Sequence, residues 1–574
     1  MRLATFLAAA TCLIWTLSAG ATPLFLSLAV ALFVLFGVLV AWHARVENRT
    51  AWHDALRLTN VRALARVERR WDDLPPADAP PSIDLAHHPY ALDLDLFGRA
   101  SLLQFLGPAA TASGTTRLAG WLTTPAEPAQ VRARQEATAE LATLGEWREQ
   151  LAAHGVLASG VRHEEIEAFL AWAEGPPPVA RLPLLRAAVL TICAAIWILA
   201  ALHVLGIGPA GLWVIPLVAG VLLSFVMAAR VNTAFERAGA GQDALARYAA
   251  LFGHTTAARF AAAPLLALQE RLSAGGHAAP ACMRQLNRIL GFADFRIAAA
   301  LLHFPVQAFT LWDFHVVFAL DRWRRTAGPR ARGWMDAVGE LDALSALAWA
   351  RHDNPDWAIP EITDRPVSSA VALGHPLIAA DRRVCNDVEL GPPGTLLLIT
   401  GSNMSGKSTL LRAIGLNAVL AQAGGCVCAV RLHLPPIDLQ TSIRVQDSLE
   451  LGRSYFMAAL ARLKGVVDAA QRPRPGRVLM YLLDEVLQGT NSGERDIAVR
   501  AVARHLLDAG AIGAMTTHDL NLAGEEPIKS SARLVHFTEI VDDEDQMRFD
   551  YKLRDGLATS RNALRLMKLI GIDI

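Results

Sequence analysis

Apolar positions along this chain fall into two textures. Up to about residue 357 they form long runs or recur at helical spacing, and beyond that they form short runs alternating with helical stretches. Four long runs, at about 3–17, 24–42, 187–205 and 212–229, carry almost no charge. A helix needs about 20 such residues to cross the hydrocarbon layer, a length for which the first run is marginal. The runs pair across 18–23 and 206–211, uncharged connectors rich in Gly and Pro that suit tight turns. Four transmembrane helices in two hairpins are therefore predicted. Arginines cluster at the opposite ends (Arg2, Arg45, Arg49, Arg181, Arg186, Arg230, Arg237), so both hairpins should enter from and return to the cytoplasm. Two other readings stand beside this one: a cleaved signal peptide over 1–21, and a buried helical hairpin for the second pair. A fifth run, 297–311, contains His303, Pro305 and Gln307 and is expected to be a buried helix of the soluble part.

The domain layout follows. Residues 1–42 and 187–229 are the hairpins, 43–186 and 230–357 form a mainly α-helical core, and 358–574 form a C-terminal α/β domain. Within the core, 130–153 has helical periodicity with Glu and Arg on its polar face. A basic stretch at 322–332 is a candidate phosphate grip, against the plainer reading of a solvated helix end. The spans hold almost no ionisable side chain apart from His203, which favours an anchor over a transport path.

Composition narrows the picture. A chain of 574 residues exceeds a single core. Its 54 basic and 54 acidic residues cancel, which excludes an overall basic nucleic-acid coat. Six scattered cysteines exclude a disulfide-stapled secreted domain. Hydrophobic residues make up 53% of the chain, which excludes intrinsic disorder. Only five of the basic residues are lysines, and Lys407 is the first of them, so a lysine in a chemically demanding position is informative.

Residues 395–400 read as a buried strand and run directly into Gly401, Ser402, Asn403, Met404, Ser405, Gly406, Lys407, Ser408 and Thr409, after which a helix begins. This is the order of a P-loop. Glycines let consecutive N–H groups converge on phosphate, and the helix N-terminus adds partial positive charge. Lys407 would bridge the β- and γ-phosphates, and the Ser408 hydroxyl would bind Mg²⁺. A second strand, 478–483, ends in Asp484 and Glu485, a Mg²⁺ ligand and a group to activate water. A third run, 511–515, leads to His518, placed to sense the γ-phosphate.

On these residues the chain resembles the MutS family of DNA mismatch-repair ATPases, whose ATPase domain is ABC-like. The segments that carry the resemblance are 401–409, Gly374-His375-Pro376, Asn386-Asp387, the signature-like stretch 447–457, 483–492, Thr517-His518 and 549–553. It is close over about 340–574 and weak over 96–134. It implies a P-loop NTPase that binds ATP and Mg²⁺ and pairs head to tail as a homodimer. Gly452 to Ser454 would then approach the partner's γ-phosphate, and Thr490 to Ser492 would cross the seam. The chain also departs from the family. Membrane spans replace an N-terminal mismatch-recognition domain, no Phe-x-Glu motif is found there, no C-terminal nuclease domain is expected, and Ala459 stands where an acidic residue is common. The leading expectation is a membrane-anchored, dimeric ATPase coupled to DNA. The alternative is an ATP-driven motor or nucleotide-gated scaffold acting on a membrane or protein partner without DNA.

Overall fold

The computed structural model describes residues 2–18, 23–107, 109–158, 163–176, 183–207, 209, 211–239, 242–276, 278–402, 405–444, 455–487, 492–541 and 547–557. Its N-terminal part is helical, and strands begin only at residue 361. Among the described residues three helices are long and apolar enough to cross a membrane: Pro23–Val67, Pro183–Val204 and Val214–Gly239. Helix Arg2–Ser18 is also apolar but has 17 residues, about 26 Å, a little short of a span. The apolar run 24–42 forms the first part of Pro23–Val67, and the helix continues beyond it through polar residues, for 45 residues in all. In its last turn Arg66 lies 3.8 Å from Asp353, and just beyond the helix Arg69 donates to the Pro376 carbonyl at 3.0 Å.

The α/β domain is built on a six-stranded sheet in the order β10-β9-β4-β8-β7-β6. Its strands are β4 (Leu396–Thr400), β6 (Ile437–Ser442), β7 (Val478–Leu483), β8 (Ile512–Thr517), β9 (Ala532–Val541) and β10 (Met547–Asp555). All neighbours are parallel except β9 and β10. Every residue of β4 is buried, because alternate side chains serve opposite faces of a covered sheet. Leu397 and Ile399 join the large core shared with the helical region, whereas Leu396 and Leu398 pack with the helices Tyr455–Gln471 and Ser492–Asp508. A second sheet has the order β1-β5-β2-β3, from Glu361–Ile362, Arg431–Leu434, Ser368–Leu373 and Asn386–Leu390.

The helical region is docked onto this domain through buried polar contacts as well as apolar packing. Asp93, fully buried, accepts from Thr441 Oγ1 at 2.7 Å, Ile443 N at 3.0 Å and Arg444 N at 3.2 Å. Helix Gly328–Asp353 runs through the shared core, where the Asp342 carboxylate accepts from Thr111 N and Thr111 Oγ1, both at 2.7 Å. Burial pushes Asp342 up to about 6 despite these donors.

The stretch 130–153 is helical as expected, in two helices, Pro128–Thr143 and Gly145–Ala158, parted at Leu144. Two sequence expectations change. The basic stretch is largely committed within the protein. Arg324 donates to the Gly175 carbonyl at 2.7 Å, and Arg332 pairs with Glu174 and Glu167 at 2.9 and 3.2 Å, so neither is free to grip phosphate. The run 297–311 is not a buried soluble helix. It forms helix Ala300–Thr310, on which Leu301 is 93% exposed and Phe304 72% exposed. The mixture of apolar and polar positions misleads here, because the polar side chains are the inward ones.

Candidate nucleotide-binding site

The site lies at the carboxyl ends of the central parallel strands, where loops leave the sheet and helix N-termini face the crevice. β4 delivers Gly401 and Ser402, and helix Lys407–Ala423 starts immediately after Gly406. Asn403 and Met404 lie outside the described residues. Gly406 has φ +106°, and a Cβ added there would meet Tyr551 Cδ1 at 3.1 Å, so both backbone and space call for glycine. Lys407 is 4% exposed and folds back over the loop, donating to the carbonyls of Gly401 and Ser402, each at 2.8 Å. Its Nζ also lies 3.4 Å from Glu485 Oε1.

β7 ends at Leu483, so Asp484 and Glu485 emerge beside the loop. Thr516 on the neighbouring β8 organises both: its hydroxyl donates to Asp484 Oδ1 and accepts from Glu485 N. Glu485 has φ +41°, a left-handed backbone that is costly for a non-glycine residue and is held here by the flanking strands. His518 follows β8, about half exposed, with Nδ1 3.8 Å from Glu485 Oε2.

A cavity of about 590 Å³ opens over the loop. Ser402, Gly406, Lys407, Ser408, Thr409 and Glu485 line its polar side. Asp484 is bonded to Thr516 and does not line the cavity, and His518 lines a smaller cleft on the far side of Glu485. The segment 447–454, including Gly452 and Ser454, lies outside the described residues, as do Thr490 and Asn491. Ala459 is 5% exposed within the sheet-facing core of helix Tyr455–Gln471.

The opposite wall was foreseen only in part. Leu377, Ile378, Val384 and Phe537 make it apolar, with His375, Arg382, Asn386 and Tyr551 alongside. Asn386 pins Tyr551 in place: its Nδ2 donates to the Tyr551 carbonyl at 3.0 Å, and its Oδ1 accepts from Leu553 N at 2.8 Å. Burial, reinforced by Arg412 and Arg383, pushes His375 down to about 4, so it is neutral near pH 7. The resemblance had marked His375, Asn386 and Tyr551 as sequence matches, but Phe537 comes from β9 without any local signal.

The donor set suits an anionic ligand. Lys407, the helix N-terminus and the hydroxyls of Ser402, Ser408 and Thr409 face one volume. Ser405 Oγ, at 1% residue exposure, has no hydrogen-bond partner among the described residues. These features define a class, an α/β domain of the P-loop-like kind. Comparison with known proteins then narrows it. Residues 397–573 match MutS domain V. The DNA mismatch repair protein MutS of Natronomonas pharaonis is 33% identical over 240 residues, covering 41% of this chain and 27% of that protein. The C-terminal part of the chain is thus similar to MutS domain V, and the match spans about a quarter of the length of that relative.

Proposed function

We propose that this protein is a membrane-anchored MutS-type ATPase that binds ATP with Mg²⁺ and hydrolyses it at a seam shared by two copies. The observation that carries the reading is the cavity in which Lys407, Ser408 and Glu485 meet above a helix N-terminus. Lys407 would exchange Glu485 for the β- and γ-phosphates, the loop N–H groups would hold the remaining phosphate oxygens, and the apolar wall would take the base. Ser408 and Asp484 would serve the Mg²⁺. Glu485 would accept the proton of the attacking water, and His518, on its far side, would hold that carboxylate in position and sense the γ-phosphate. Gly452 to Ser454 of a second copy would close the site. The relative's name, a DNA mismatch repair protein, supports DNA as the coupled partner.

One contact favours a second reading, a motor acting on the membrane or on a protein within it. Helix Pro23–Val67 runs from its apolar half directly to Arg69, which holds the carbonyl of Pro376 beside the cavity residues His375 and Leu377. The test is ATP hydrolysis by the detergent-solubilised chain, alone and with duplex, mismatched or branched DNA, alongside Lys407→Ala. DNA binding should fall steeply with salt. No binding to any DNA at low salt, with and without ATP, would leave the motor reading; no ATP binding by the wild-type chain would remove both.

A further inference from the structure

Helix Ala279–Ala298 bends by 114° into helix Ala300–Thr310, and neither contributes to the nucleotide cavity. The outer side of this elbow is apolar: Ile297 is 78% exposed, Leu301 93%, Leu302 64% and Phe304 72%. Its polar side chains turn inward and are paired. His303 Nε2 lies 2.9 Å from Asp313 Oδ1, and Gln307 donates to Ser224 Oγ at 3.1 Å and accepts from Asp313 N at 2.9 Å. Polar-in and apolar-out is the reverse of a helix facing water, and it is the arrangement that hydrocarbon solvent demands.

The elbow also packs far along the apolar hairpin formed by Pro183–Val204 and Val214–Gly239. Cys193 Sγ donates to the Thr310 carbonyl at 3.2 Å, and the Phe309 ring lies 6.1 Å from Trp197 and 6.2 Å from Trp213. The Leu311 side chain lies so near Gly220 that an added Cβ would meet it at 3.2 Å. Cys193 is ten residues beyond Pro183, about 15 Å along its helix, and Trp213 lies at the connector end just before Val214, so these contacts run from mid-length to the connector and are not made at the hairpin's arginine-flanked end. Exposed Arg230 and Arg237 follow the hairpin on helix Val214–Gly239, and exposed Arg284 and Arg288 stand before the elbow on Ala279–Ala298. Long cationic side chains in such places suit lipid headgroups.

We propose that residues 297–311 form a re-entrant wedge that enters the bilayer from the cytoplasmic side, seats against the second hairpin, and touches lipid acyl chains through Ile297, Leu301, Leu302 and Phe304. The proposal rests on reading Pro183–Val204 and Val214–Gly239 as membrane spans, and the experiment separates the two. The full chain, with Cys12, Cys193 and Cys385 replaced by serine, is labelled with an environment-sensitive fluorophore at Leu301→Cys. Parallel preparations are labelled at Phe225→Cys on the hairpin and Ile497→Cys on the α/β domain, both exposed in the structure. Each is reconstituted in vesicles of phosphatidylethanolamine and phosphatidylglycerol, with a quencher attached along the acyl chain. Quenching at 301 is expected within about twofold of that at 225, with none at 497. Quenching at 225 without quenching at 301 overturns the wedge and leaves the anchor standing. Absence of quenching at both overturns the wedge together with the membrane reading. All three labelled positions are exposed, so the labels disturb no packed core.

Discussion

Replacing Glu485 by glutamine is expected to move nucleotide binding and turnover in opposite directions. Glu485 Oε1 lies 3.4 Å from Lys407 Nζ, and the two side chains are only 17% and 4% exposed. Any phosphate entering the loop must therefore displace a carboxylate from the lysine. At an effective dielectric of about 20, unit charges at 3.4 Å attract by about 5 kcal/mol. Most of this is returned when the freed carboxylate is solvated, while the lysine keeps its bonds to Gly401 and Ser402, so a net cost of about 1–2 kcal/mol remains. Glutamine removes that cost and the repulsion between carboxylate and γ-phosphate, so ATP should bind about 5- to 30-fold more tightly. Loss of the proton acceptor should lower turnover by about 10²- to 10⁴-fold. Binding is read by titration with a fluorescent ATP analogue and turnover by phosphate release. Wild-type hydrolysis by the variant, or ATP binding weaker than wild type, would refute the reasoning.

Three further outcomes test the architecture. Gly513→Ala would place a Cβ 2.2 Å from the Tyr481 carbonyl on the paired strand, a backbone clash expected to cost about 3 kcal/mol or more and to lower the urea midpoint of the α/β domain. An unchanged midpoint would mean that β7 and β8 do not pair in this register. Asp93→Ala would strip the acceptor from Thr441 Oγ1, Ile443 N and Arg444 N and leave Arg462, 3.4 Å away, unpaired; a loss of about 2–4 kcal/mol in denaturant unfolding is expected. His375, held down at about 4 against 6.5 when unfolded, stays neutral in the native state. Between pH 6.5 and pH 4 the unfolded chain takes up a proton that the native one does not, so stability falls with pH by up to roughly 3 kcal/mol and levels off below pH 4. His375→Gln should flatten that part of the stability profile; parallel losses in variant and wild type would assign the acid sensitivity elsewhere.

The phosphate loop was legible because its chemistry is local. In the proposed reading consecutive backbone groups of 401–409 would do the binding, so spacing along the chain would be spacing in space, and the all-buried run of β4 announces the strand beneath it. The ends of β7 and β8 were legible for the same reason, as acidic and histidine residues placed just after short apolar runs. The opposite wall of the cavity was legible only in part: the resemblance marked His375, Asn386 and Tyr551, but Phe537 arrives from β9 unannounced, and that Asn386 pins Tyr551, 165 residues away in sequence, only the fold shows. Asp93 was likewise silent, since its partners at 441–444 lie about 350 residues away and only the docking of helical region on sheet makes it a buried acceptor. Hydropathy alone made 297–311 apolar, but which face looks outward depends on where Asp313 and Ser224 stand to receive His303 and Gln307. Local order of residues thus determined the loop and the strands that carry it, whereas everything assembled from distant segments was decided by the fold, because contact there is set by packing and not by separation along the chain.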